Sequence, residues 1–179
     1  MGVTDRAVDL VSEGVDCVIR VGELADSNLI ARPLGRLPLC NCASPAYLAR
    51  YGRPDTVKDL SSHRIVAFAS SMTGRVESWE CRKGEQLDSL ALPARVTVNT
   101  AEGMIACALA GLGMIQVPHY DVRHHLDSGR LVSVLPDTVP PPMPITLLYP
   151  HREHMTRRLE VFIDWIIPVL EDKVLGMAQ

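Results

Sequence analysis

Residues 16–24 decide the fold, and they read DCVIRVGEL. An apolar core between Asp16 and Arg20 predicts a strand over residues 16–21. The strand stops at Gly22, and a short polar loop separates it from a second extended segment. In open α/β sheets, small molecules bind at the carboxyl edge, where strands of this kind end. The stretch therefore predicts a ligand site at the end of the strand.

The composition indicates a folded domain with an aliphatic core. The chain has 179 residues, of which 47% are hydrophobic, 22% charged and 4% aromatic. That balance excludes a disordered chain, and the length suits one domain or two small lobes. The formal net charge is −3, and the nearest approach to a basic cluster, Arg157-Arg158, fits a solvated helix face. Sequence-independent DNA binding needs clustered Lys and Arg, so we do not expect it here.

The sequence also predicts a compartment. No uninterrupted apolar stretch reaches the ~20 residues of a transmembrane helix, and the N-terminus lacks a charged-then-apolar signal pattern. We therefore expect a cytoplasmic protein. The five cysteines form no framework spacing, which favours reduced thiols over disulfides.

Helices and strands alternate along the chain, which is the α/β signature. Ser44 and Pro45 are typical of a helix start and predict a helix over residues 44–51. Lys83-Gly84 predicts the turn of a hairpin. Extended chain is expected over residues 29–43, broken near Pro33 and Gly35.

Residues 63–144 are expected to form a second lobe, and residues 1–62 and 145–179 the first lobe. The chain would then pass from the first lobe to the second once and return once. Two connections make a hinge, and a cleft between lobes is a usual place for a small molecule.

Two cysteine patterns are candidates for chemistry, one for metal binding and one for catalysis. Cys40 and Cys42 share one face of a strand, and His124, His125, His151 and His154 could complete a metal site. A C-x-C without a second pair is a weak signal, and buried thiols are favoured. Cys81, near Arg82 and Lys83, is the only loose candidate for a thiol hydrolase, and a packed thiol is favoured there too. We expect no metal, no cofactor and no enzyme activity.

Gly111-Leu112-Gly113 does not indicate a dinucleotide site. It follows a helix rather than a strand, so it reads as a tight helix-to-strand turn.

The features that favour an anion are a helix start and an arginine. Asn99 or Thr100 opens an apolar helix, and helix N-termini bind carboxylate or phosphate groups. Arg20 supplies a fork donor for a carboxylate. The alternative for Arg20 is an ion pair with Glu23 or Asp26.

Several segments in their order closely resemble the effector-binding domain of LysR-type transcriptional regulators. They are residues 5–22 (DRAVDLVSEGVDCVIRVG), residues 43–48 (ASPAYL), Asp59-Leu60 with His63, Ala110-Gly111-Leu112-Gly113 with Val117-Pro118, residues 129–132 (GRLV) and residues 142–165.

The resemblance implies a two-lobe α/β fold like the type II periplasmic binding proteins. It also implies a small, often anionic or aromatic, effector in the inter-lobe cleft, a homodimer or homotetramer, and transcription control rather than catalysis. Matching the segments assigns these positions to the effector site: Thr4, Ile19, Arg20, Val21, Gly22, Phe68, Ser70, Asn99, Thr100 and Pro118.

The chain departs from the family pattern at its start. An intact regulator begins with a helix-turn-helix, a linker helix and the first strand and helix of lobe one, and none of these precedes Thr4. We therefore expect a first lobe that is incomplete at its N-terminus, and DNA binding only through a helix-turn-helix absent from this chain. The alternative function is a stand-alone solute-binding protein of the same fold.

Overall fold

A computed structural model of the chain describes residues 14–22, 24, 28–70, 74–150 and 156–170, and all structural statements concern these residues. The predicted site residue Thr4 lies outside them, as do Glu23 and Asp26.

Strands and helices alternate as the sequence predicts. The strands are β1 (Val18–Val21), β2 (Leu29–Leu37), β3 (Leu39–Ala43), β4 (Ile65–Phe68), β5 (Trp79–Lys83), β6 (Gln86–Leu90), β7 (Ala94–Val98), β8 (Ile115–Pro118), β9 (Val132–Ser133) and β10 (Met143–Pro150). The helices are α1 (Pro45–Tyr51), α2 (Ala101–Leu109), α3 (His119–Asp127) and α4 (Arg157–Leu170), with 3-10 turns at Val57–Ser62 and Pro136–Thr138.

The chain divides into two units. Unit 1 is Leu39–Pro141, and unit 2 is formed by the described residues that precede Leu39 and follow Pro141. This division differs from the expected lobe boundaries at residues 62/63 and 144/145. The physical reason is strand pairing, because β3 pairs with β8 and β9 and so ties residues 39–62 to the rest of unit 1.

The sheet of unit 1 mixes parallel and antiparallel strands. β4 and β7 are parallel, whereas β3 is antiparallel to both β8 and β9. A parallel bridge between Ile65 and Met114 joins the two groups. Val66 N–H donates to Met114 O at 3.0 Å, and Met114 N–H donates to Arg64 O at 3.0 Å. The resulting order, β7-β4-β8-β3-β9, makes β7, β4 and β8 run in the same direction.

Two apolar clusters form the core of unit 1. One holds Tyr47, Leu60, Trp79 and Met114, and the other holds Cys40, Cys42, Met104 and Val122 below α2 and α3. Because side chains alternate along a strand, neighbouring residues of β3 and of β4 supply both clusters, whereas Ile115 and Val117 of β8 belong to the second. Fully burying a side chain such as that of Leu60 or Met114 contributes about 1.5–3 kcal/mol.

The turn from α2 into β8 passes close to β4. A Cβ at Gly113 would lie 2.7 Å from the carbonyl carbon of Ile65, a distance that only glycine tolerates. The Gly111-Leu112-Gly113 segment thus joins helix and strand, as the sequence predicts.

In unit 2, β10 lies between β1 and β2 and is antiparallel to both. The apolar face of α4 packs on this sheet through Leu159 and Ile163, which meet Leu147 of β10. The expected break near Pro33 and Gly35 is instead a local register shift within β2. The strand continues to Leu37, because β10 pairs with β2 on both sides of the shift.

Among the described helices, none is both long and apolar enough to cross a membrane.

Candidate functional site

The carboxyl ends of the parallel strands in unit 1 bring several predicted site residues to one place. β4 ends in Phe68 and leads to Ser70, β7 leads to Asn99 and Thr100, and β8 ends in Pro118. We call residues 68–70, 99–100 and 118 the carboxyl edge. Such edges are where open α/β sheets bind ligands.

Backbone hydrogen bonds hold the end of β4 in place. Ala69 N–H donates to Val98 O at 2.7 Å, and Ser70 N–H donates to Arg75 O at 2.9 Å. On the other side of the strand, Glu77 N–H donates to Phe68 O at 2.8 Å. The segment after β4 therefore folds back along the strand and fixes its backbone.

Thr100, rather than Asn99, caps α2. The Thr100 hydroxyl accepts a hydrogen bond from Gly103 N–H at 3.0 Å, and the Thr100 backbone is extended. Such a cap contributes about 1 kcal/mol. Asn99 is exposed, so its amide lies at the surface of the edge.

Acidic groups also lie at this edge. Glu102 occupies the first turn of α2 and Asp121 the first turn of α3. Burial and the nearby Glu102 raise the pKa of Asp121. Burial and the neighbouring Asp121 raise the pKa of Tyr120 to about 12. These carboxylates already interact favourably with both helix N-termini and oppose a second negative charge there.

Unit 2 contributes the other predicted segment, the end of β1. Arg20 faces Thr146 of β10 and is half-buried, and Val21 is 44% exposed. Gly22 has a φ of 97°, which favours glycine, and its N–H donates to Pro144 O at 2.9 Å. The strand thus stops at the glycine as predicted.

Two predicted site residues direct their side chains into cores. Ile19 packs against the cluster of Leu147 and Ile163 in unit 2, and Phe68 packs against the cluster below α2 in unit 1. Their side chains support the strand ends, and only their backbone groups remain for a ligand.

Sequence reasoning missed a polar network beside the edge. Gln116 of β8 donates from Nε2 to Asn41 Oδ1 at 2.8 Å and to Glu80 O at 2.9 Å. Its Oε1 accepts from Glu80 N–H at 3.3 Å. Asn41 is fully buried and donates to Leu135 O at 3.4 Å. The signal in the sequence was a polar residue between the apolar neighbours Ile115 and Val117.

A second buried polar cluster contains Tyr47 and His63, two residues of the segments on which the family resemblance rests. The Tyr47 hydroxyl lies 3.1 Å from His63 Nδ1 and accepts from Arg64 N–H at 2.8 Å. Burial lowers the pKa of His63, and Asp59 partly offsets this. This cluster ties α1 to the start of β4 and has a structural role.

Three of the cysteines, Cys40, Cys42 and Cys81, are buried. Cys81 is 2% exposed, and burial raises its pKa, as it does for Cys17. Cys40 and Cys42 are both buried, and their interaction with each other lowers the pKa of Cys40 and raises that of Cys42. Within the described ranges, no three His, Cys, Asp or Glu side chains gather as a metal site would require.

The parallel strands of unit 1, with their carboxyl ends at one edge, define an open α/β domain. Residues 1–171 match the family described as the LysR substrate binding domain. The chain belongs to this family, and the expected resemblance is confirmed.

Curated relatives carry the names of transcriptional regulators. The Escherichia coli K12 protein YhjC, an uncharacterized HTH-type transcriptional regulator, is 40% identical over 168 residues, covering 94% of this chain and 56% of YhjC. The HTH-type transcriptional activator AaeR of the same organism is 32% identical, covering 88% of this chain and 50% of AaeR. The chain spans about half the length of the curated relatives it matches.

Solved structures show the same fold. The regulatory domain of CrgA from Neisseria meningitidis is similar with a TM-score of 0.77 and 27% identity, covering 89% of this chain and 78% of that one. Full-length AphB from Vibrio cholerae gives a TM-score of 0.76 and 28% identity, covering 90% and 55%. The predicted fold class, a two-lobe type II periplasmic-binding-protein-like fold, is confirmed by this likeness.

Proposed function

We propose that this chain is the effector-sensing and oligomerisation domain of a LysR-type transcriptional regulator. It binds a small molecule and performs no catalysis. The observation that carries the proposal is the match to the LysR substrate binding domain over residues 1–171. The position of residues 68–70, 99–100 and 118 at the ends of parallel strands supports it, because such edges bind ligands.

The proposed effector contacts follow from the sequence resemblance, and they lie at the carboxyl edge in unit 1 and at the end of β1 in unit 2. In unit 1 the polar contacts come from Ser70, Asn99 and Thr100. In unit 2 they come from Arg20 and from the backbone around Gly22. Thr4 belongs to this proposed set through the sequence resemblance alone.

We propose an anionic effector, because a guanidinium and a helix N-terminus lie among the proposed contacts. A guanidinium such as that of Arg20 binds carboxylates in a bidentate way, and the N-terminus of α2 favours negative charge. Glu102 and Asp121 oppose an anion at the carboxyl edge. An anionic group therefore suits Arg20, whereas Ser70 and Asn99 at the carboxyl edge suit a neutral polar group.

The remaining partners follow from the family. We propose a homodimer or homotetramer in the cytoplasm, and DNA binding through a helix-turn-helix outside these residues. The names of the relatives as HTH-type regulators support the last point.

A thermal-shift panel tests the proposed function. Benzoate, succinate, citrate and phosphate are compared with the neutral analogues benzamide and succinamide. A ligand at about 100 times its Kd adds about 2.7 kcal/mol of stability, which raises the Tm by several degrees. We expect at least one carboxylate to raise the Tm while its amide does not.

Matched variants place the binding. Ser70→Ala and Asn99→Ala should reduce the rise in Tm, whereas Gln86→Ala, at the exposed start of β6, should not. An equal rise with the amides would contradict the anionic effector. A rise that neither Ser70→Ala nor Asn99→Ala changes would contradict the carboxyl edge, and no rise with any compound would count against the sensing function.

A further inference from the structure

The side chain of Gln116 takes the place of a neighbouring strand. Its Oε1 accepts from Glu80 N–H at 3.3 Å, and its Nε2 donates to Glu80 O at 2.9 Å. These are the two backbone groups that a paired strand would satisfy. β5, which contains Glu80, pairs with β6 through its backbone and is joined to β8 by this carboxamide.

The carboxamide has one arrangement that satisfies every partner. Asn41, fully buried, presents Oδ1 to Gln116 Nε2 at 2.8 Å. Because the Asn41 amide nitrogen donates to Leu135 O, Asn41 offers its oxygen to Gln116. Gln116 must then direct its nitrogen to Asn41 and its oxygen to Glu80 N–H. The network thus fixes the orientation of both amides.

Glu80 leads back to the carboxyl edge. Three residues before it, Glu77 N–H donates to Phe68 O at 2.8 Å. Next to this bond, Val76 forms an antiparallel bridge with Ala69. Residues 76–80 are therefore attached to the end of β4 at one end and to Gln116 at the other.

We infer that Gln116 is a positioning residue of the carboxyl edge. Gln116 is not itself one of the residues of the carboxyl edge. It holds residues 76–80 against the sheet, and these residues hold the backbone of Phe68 and Ala69. The inference takes its biological meaning from the proposed effector site, on which it rests.

The polar partners of Gln116 require a carboxamide at this position, and an apolar side chain could not bind them. Replacing Gln116 by an apolar side chain leaves the Asn41 oxygen and both backbone groups of Glu80 without their partner. An unsatisfied buried polar group costs about 1–3 kcal/mol. Releasing residues 76–80 would let water satisfy the backbone groups of Glu80, which is half-buried. Local opening of this kind is what hydrogen exchange measures.

Hydrogen exchange by NMR on the whole chain tests the inference with Gln116→Met, which keeps the length of the side chain. The reporting amides are those of Ser70 and Glu77, and the reference amides are those of Val66 and Met104, which donate to Met114 O and Thr100 O. We expect exchange at Ser70 and Glu77 to accelerate by about tenfold or more. The reference amides should change much less.

Val117→Ala is the matched control. Val117 is the next residue on β8, is 2% exposed and packs in the apolar cluster below α2 and α3. It should accelerate exchange without preference for Ser70 and Glu77. Equal acceleration at all four amides in Gln116→Met, or none at Ser70 and Glu77, would overturn the inference.

The ligand panel adds a second readout. The Tm rise caused by a binding carboxylate should shrink in Gln116→Met and persist in Val117→Ala; a rise that persists in both would overturn the positioning role. Exchange needs no ligand, so a panel without any binder counts against the proposed function while the exchange result still decides the role of Gln116.

Discussion

Two histidines are enclosed in unit 1, and burial governs their protonation. His63 is 3% exposed and His125 is 8% exposed. Burial lowers the pKa of both; Asp59 partly offsets this for His63, whereas His124 and Arg130 reinforce it for His125. Each imidazole is therefore more easily protonated in the unfolded chain than in the folded one.

This difference predicts how stability depends on pH. As the pH falls below about 6.5, the ordinary pKa of histidine, the unfolded chain takes up protons that the folded chain does not, and the free energy of unfolding decreases. The two buried histidines make their full contribution to stability above that pH. The contribution declines as the pH falls, until the pH has passed their lowered pKa values. Urea unfolding at pH 7.5, 6.5 and 5.5 measures it.

His63→Gln should flatten this dependence, whereas His124→Gln, at an exposed position on α3, should change it less. The interpretation of His63 would be refuted by equal slopes in the two variants.

At the scale of elements, the contact between the α2–β8 turn and β4 joins the two groups of strands. Gly113→Ala would place a Cβ 2.7 Å from the Ile65 carbonyl carbon and 2.9 Å from Val66 N. Backbone must shift to relieve this, and overpacking typically costs about 1–3 kcal/mol. We expect a lower free energy of unfolding and faster exchange of the Val66 amide.

Gly129→Ala is the matched control. Its Cβ would meet nothing within 4 Å, although its φ of 70° is unfavourable for alanine. It should lower stability by about 1 kcal/mol and leave Val66 exchange unchanged relative to other amides. Faster Val66 exchange in both variants alike would contradict a specific contact at Gly113.

Elements with local signals were predictable from the sequence. Ser44 and Pro45 start α1 as their capping chemistry requires, and the Lys83-Gly84 turn joins β5 to β6 as predicted. The glycine that ends β1 was equally local. These features depend on a few neighbouring residues, so their sequence pattern is sufficient.

Features that depend on distant pairing were not predictable. The unit boundary at Leu39 follows from pairing of β3 with β8, which is far away in sequence. Gln116 contacts Glu80 and Asn41 only after the sheet has formed. The carboxyl edge was anticipated in part, because Thr100 is a local cap, whereas the inward side chains of Ile19 and Phe68 depend on which sheet face each core covers.

At the scale of the whole molecule, the chain belongs to the family described as the LysR substrate binding domain, and its carboxyl edge gathers polar groups. The proposed effector contacts are Ser70, Asn99 and Thr100 in unit 1 and Arg20 and Gly22 in unit 2. Both sets are proposed effector contacts, so the effector should affect the amides of each set.

Chemical-shift mapping is the measurement that tests this claim most directly. The isotope-labelled chain is titrated with the panel carboxylate that raises the Tm most. We predict saturable shifts at the amides of residues 68–70 and 99–100 and at those of residues 20–22. Shifts confined to the β5–β6 hairpin or to α4, or none at residues 68–70 and 99–100, would contradict the account.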